Sequence, residues 1–120
     1  MNILIVDDSR AMRMIVKKTL RDAGFDGHDV REAEDGQKAL EAVREDVPDL
    51  ILSDWNMPNM NGPEFLKAIK AEGVNVPFGF VTTEATTEMR NFALETGANF
   101  LIAKPFTADS FAEALGKYLN

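Results

Sequence analysis

The sequence has no cysteine and a single histidine, His28. A disulfide framework, a thiolate metal centre and a histidine-rich zinc site are therefore excluded. Positive charge is in the minority, 13 basic against 20 acidic side chains, for a formal net charge of -7. That balance works against nonspecific attachment to nucleic acid or to an anionic membrane, both of which reward cations. No apolar run approaches the roughly 20 residues of a membrane span. The short run at residues 2–6 lacks the length and the basic flank of a signal peptide. No glycine-rich phosphate loop and no Ser-His-Asp or Cys-His set is found. These absences point to a cytoplasmic protein that binds neither membrane nor nucleic acid, in which oxygen would hold any metal.

What is there suits one compact domain with a real core: 120 residues, 45% hydrophobic and 28% charged. The reading is a single domain over residues 1–120, monomeric and without an output domain. Strand-like apolar runs alternate with amphipathic helical ones, the pattern of a parallel sheet wrapped by helices on both faces. Ile3 to Val6 reads as a doubly buried strand. Ser9 or Asp8 caps a helix with Met12, Ile15, Val16, Thr19 and Leu20 at helical spacing, closed by Gly24. A weaker strand at Asp29 to Glu32 precedes Asp35-Gly36 and a helix carrying Ala39, Leu40 and Val43, stopped by Val47-Pro48. Leu50 to Leu52 is a buried strand, and Asp54 to Gly62 is too rich in turn residues for helix or strand. Pro63 suits the first turn of a third helix. Pro77 to Val81, a helix capped by Thr86 or Thr87 and closed by Gly97, the strand Phe100 to Ile102 and a helix from Phe106 to Leu119 complete the chain.

In a parallel sheet the carboxyl ends of all strands share one edge, and ligands bind in the crevice beyond it. Asp7-Asp8 follow the first strand, Asp54 the third, Thr82 the fourth and Lys104 the fifth. Three converging carboxylates favour protonation or a bound cation. Magnesium fits, since it takes hard oxygen ligands and is often held by one or two carboxylates and a phosphate oxygen. The expected direct ligands are Asp8, Asp54 and the backbone carbonyl of Asn56, with Asp7 acting through water. Lys104 and Thr82 add a positive charge and a hydroxyl, which a metal alone does not require and a phosphoryl group does. A carboxylate can be a covalent phosphoryl acceptor, and Asp54 lies between the acidic pair and the Lys104/Thr82 pair. It is the expected nucleophile.

Each residue alone has a plainer reading: Asp-Asp as a helix cap, Lys104 as a surface lysine. Their joint placement at four strand ends argues against coincidence. Elsewhere the plain reading stands. His28 is expected on the surface, and Met12, Met14 and Phe111 in ordinary packing. Arg10, Arg13, Lys17, Lys18 and Arg21 form a basic stripe on the first helix, ordinarily a solvated face but one able to dock an acidic partner. Two other functions fit the same fold: a small magnesium-dependent aspartyl phosphatase, and a flavodoxin-like cofactor binder, whose phosphate Asp7-Asp8 would repel.

Asp7-Asp8, Asp54, Thr82 and Lys104-Pro105 resemble, in order and spacing over the whole chain, the pattern of response-regulator receiver domains. The run Asp54 to Met60 with Val81 to Ala85 is similar to the CheY-like, chemotaxis-type members. The resemblance implies a flavodoxin-like sheet of order 2-1-3-4-5 and a cis bond before Pro105. It implies that a CheA-like sensor histidine kinase supplies the phosphoryl group, and that the output is a separate effector such as a flagellar motor switch protein. It also implies that Asn56 and Glu84 modulate hydrolysis. Leu101 occupies the switch position, where such members carry tyrosine or phenylalanine. That departure opens an alternative output, a phosphorelay carrier or phosphate sink outside motor control. Adjacent Phe100 should not substitute, because successive strand residues face opposite sides. Asn61-Gly62, where Asp-Gly is common, is expected to be a turn detail.

Overall fold

The structure, a computed structural model, describes residues 1–83 and 85–119. Five strands alternate with five helices: β1 (Asn2–Val6), α1 (Arg10–Asp22), β2 (Asp29–Ala33), α2 (Gly36–Glu45), β3 (Leu50–Ser53), α3 (Gly62–Ala71), β4 (Phe78–Thr82), α4 (Thr87–Thr96), β5 (Phe100–Ala103) and α5 (Ala108–Leu115). The sheet is parallel in the order β2-β1-β3-β4-β5, as the family pattern implies. No helix among the described residues is long and apolar enough to cross a membrane.

The period of two along each strand splits the core into two layers. Leu4, Val6, Ile51, Phe78 and Phe80 meet α2, α3 and α4 on one face. Ile3, Ile5, Leu50, Leu52, Val81 and Ile102 meet α1 and α5 on the other. β2 is an edge strand, and its charged, half-exposed run blunts a row of free backbone groups that would otherwise recruit another strand.

Some expectations shift. Val16 and Leu20 are buried in α1 and Met12 packs beside them, but Ile15 is 47% exposed and Met14 59%. The inward row runs through residues 12, 16 and 20, and neighbours one or two positions off it turn toward solvent. His28 is half-buried rather than on the surface, with both ring nitrogens shielded and unpaired among the described residues. The last helix is shorter than its apolar pattern suggests. Thr107 caps it, so Phe106 lies outside and stacks on Phe111 at 4.7 Å. Asn61 is not a turn detail but the N-cap of α3, in a reciprocal capping box with Glu64.

Candidate functional site

Asp7 follows β1 and is 4% exposed. Its backbone N–H donates to the Ala33 carbonyl at 3.1 Å, and its own carbonyl accepts from Arg13 Nη1 at 2.6 Å. Its carboxylate accepts from the Ser9 N–H at 2.9 Å and from Lys104 Nζ at 3.2 Å. Asp54 is placed by its N–H bond to the Val6 carbonyl at 2.8 Å, and its Oδ1 accepts from the Trp55 N–H at 2.8 Å. Lys104 Nζ lies 3.6 Å from the same Oδ1. The lysine thus bridges two carboxylates from β5, and its own N–H donates to the Thr82 carbonyl at 2.7 Å. Thr82 is buried at the end of β4.

Ligand oxygens of Asp7, Asp8 and Asp54 lie within 4.8 Å of one another. The structure therefore brings together the predicted Asp7, Asp8, Asp54 and Lys104, with Thr82 at the adjoining strand end. Burial pushes the Asp54 carboxyl above its ordinary range; Lys104 and the Trp55 N–H pull it back, while Asp7 and Asp8 push it further up. Three hard oxygen donors at this spacing fit a magnesium ion, which needs several such donors and keeps some water.

Asn56 is exposed in the loop after β3. Leu101 is half-buried and packs toward α4, and its carbonyl accepts from Arg90 Nη1 at 3.2 Å. Phe100 turns the other way, onto Tyr118 at 5.6 Å, as strand alternation requires. Lys104-Pro105 is cis. Glu84 lies outside the described residues. The basic stripe is partly consumed internally: Arg13 and Lys17 pair with Glu32, and Lys18 with Asp22.

The loop after β3 is held by contacts that no local sequence pattern encodes. Asp35 caps α2 through the Lys38 N–H at 2.8 Å, and its other oxygen accepts from Asn59 Nδ2 at 2.9 Å. Asn59 has φ 66°, a left-handed conformation that asparagine tolerates better than most residues. Gly36 donates to the Met60 carbonyl at 3.1 Å, where a Cβ would stand 2.3 Å from that oxygen. Asp35-Gly36 registered in the sequence only as a helix start.

The response regulator receiver domain pattern matches residues 3–116 of the chain. Chemotaxis protein CheY-3 of Vibrio cholerae is 44% identical over 119 residues, covering 98% of this chain and 90% of that protein. Chemotaxis protein CheY of Pseudomonas aeruginosa is 40% identical, covering 98% and 94%. Among solved structures, Vibrio cholerae CheY4 superposes with a TM-score of 0.86 at 36% identity, covering 98% of both chains.

Proposed function

The chain belongs to the response regulator receiver domain family, whose CheY-like members are signalling proteins, and from that premise we propose that Asp54 accepts a phosphoryl group from the phosphohistidine of a CheA-like sensor kinase. The observation that carries the reading is the convergence at one sheet edge: three carboxylates within 4.8 Å, with Lys104 at 3.2 Å from Asp7 and 3.6 Å from Asp54.

In the transfer the P–N bond of the donor breaks as an Asp54 carboxylate oxygen forms the new P–O bond, and the imidazole takes up a proton. Receiver domains generally bind magnesium at an acidic pocket. Here Asp8, Asp54 and the Asn56 carbonyl would hold it directly, and Asp7 through water. When bound, the ion neutralises charge on the phosphoryl oxygens. Lys104 supplies the second cation on those oxygens, and Thr82 supplies a hydroxyl to the new anion. Burial of Asp54 limits its hydration, so the fixed partners act in a medium of low dielectric. Asn56 and Glu84 are assigned to the tuning of hydrolysis.

Once Thr82 and Lys104 engage the phosphoryl group, the β4–α4 loop and the face formed by α4, β5 and α5 change their affinity for a separate partner. Similarity to chemotaxis proteins supports a motility output such as a flagellar motor switch protein. The aliphatic Leu101 favours a second reading, a phosphorelay carrier or phosphate sink.

The test is Trp55 fluorescence with calorimetry, titrating magnesium and then beryllium fluoride, a phosphoryl mimic. Magnesium-dependent binding of the mimic, lost in Asp54→Asn, is expected; binding that survives the substitution would refute the assignment. Unchanged affinity of the mimic-loaded protein for a motor switch fragment would favour the sink.

A further inference from the structure

We infer that Phe92 is a positioning residue through which the acceptor site moves helix α4, acting by way of Trp55. This rests on the assignment of Asp54 as phosphoacceptor and adds a route to it. Because the Trp55 N–H donates to Asp54 Oδ1 at 2.8 Å, a change in the carboxyl's charge is felt directly at the Trp55 backbone. Hydrogen bonds to a carboxylate are roughly twice as strong as those to a neutral acceptor. Formation of an acyl phosphate, which removes the carboxylate's own charge, loosens that bond.

Among the described residues, two aromatic rings flank the indole as walls. Phe80 stands 4.6 Å away, centroid to centroid, is fully buried, and packs edge-on against Phe78 at 5.1 Å. A Cβ on Gly62 would come within 2.7 Å of the Phe80 ring, so that wall is already closely backed. Core packing at this density does not yield. The other wall is Phe92 of α4, 5.8 Å from the indole and 42% exposed, with Lys67 Nζ at 5.7 Å from its centroid. A displaced indole therefore shifts Phe92 rather than Phe80, and α4 with it. No ring on β5 competes for the role: Leu101 is aliphatic and Phe100 faces α5.

The test measures amide exchange of α4 in the full chain with magnesium, with and without beryllium fluoride. The ratio of the two local opening equilibria defines the coupling. In wild type the ratio departs from one. Phe92→Ala brings it back toward one by roughly 2- to 30-fold, while calorimetric affinity for beryllium fluoride stays within about twofold, as for a distant independent site. Phe92→Tyr, which keeps the ring, retains the wild-type ratio. If alanine loosens α4 by itself, Phe92→Leu keeps apolar bulk without the ring and is expected to bring the ratio toward one too. A wild-type ratio in the ring-less variants, or no response of α4 in wild type despite binding, overturns the inference and leaves Asp54 as acceptor. Failure of wild type to bind beryllium fluoride overturns that assignment and this inference together.

Discussion

Asp54→Asn should make the metal-free protein more stable at neutral pH. Burial, first among the causes, holds the Asp54 carboxyl above its ordinary range. Such a group keeps its proton in the folded chain over a range where the unfolded chain has already lost it. Its stabilising contribution is present below the unfolded value of 3.8 and is lost as pH rises through the raised folded value. At neutral pH the fold carries the whole cost of the ionised group. The two nearest charges nearly cancel. At an effective dielectric of about 20, Lys104 at 3.6 Å attracts Asp54 by about 4.6 kcal/mol and buried Asp7, no farther than 4.8 Å, repels it by at least about 3.5 kcal/mol. Exposed Asp8 adds a smaller, solvent-screened repulsion. What remains is the desolvation of a carboxylate with few partners, about 1–2 kcal/mol. For a chain of 120 residues that corresponds to about 4–8 °C in Tm. The assay is thermal unfolding of both proteins in EDTA at about pH 7 and about pH 4; the variant's advantage should be largest near neutrality and close toward acid. Magnesium should narrow the gap, because at about tenfold above its Kd it stabilises wild type by about 1.4 kcal/mol and the variant, lacking one ligand, by less. A variant that melts below wild type in EDTA near neutral pH, or a gap that ignores pH, would refute the reasoning.

Three further outcomes are expected. Lys104→Met leaves buried Asp7 without its cation and should cost about 3 kcal/mol in urea unfolding, with loss of beryllium fluoride binding. Asp35→Ala removes both the α2 cap and the Asn59 contact, for about 1–2 kcal/mol. Burial acts to raise the Asp35 carboxyl, but the Lys38 N–H and Asn59 outweigh it and hold the group low. The contribution of its charge is thus present above the unfolded value and lost as pH falls through the lower folded one, so the cost of Asp35→Ala should shrink in acid. Gly79→Ala places a methyl 1.9 Å from the Phe100 ring and should cost about 1–3 kcal/mol, with an altered near-ultraviolet signal from Phe100 and Tyr118.

Much of this was legible in sequence for a physical reason. β1, β3 and β4 are covered on both faces, so their apolar runs stand out; β2, with one neighbour and charged side chains, barely registers. Asp7, Asp8, Asp54, Thr82 and Lys104 could be grouped because a parallel sheet collects its strand ends. The Asp35–Asn59 bond, the Trp55–Phe92 contact and the Gly36–Met60 contact join residues far apart in the chain, and no local pattern encodes them. Apolar periodicity also extends beyond the elements it marks. It drew the last helix through Phe106, which is apolar but lies before the Thr107 cap, and it counted Ile15 as inward. The shielding of His28 likewise depends on tertiary neighbours.

The loop after β3 is held at its backbone by two glycines, Gly36 against the Met60 carbonyl and Gly62, whose Cβ would stand 2.4 Å from the Asp54 carbonyl. Between those anchors Asn56 is exposed. Backbone anchorage separates inheritance of the scaffold from variation of what the loop displays: an exchange at exposed position 56 leaves both anchors in place. A lineage could vary that position in single steps, whereas any side chain at 36 or 62 would unseat the loop itself.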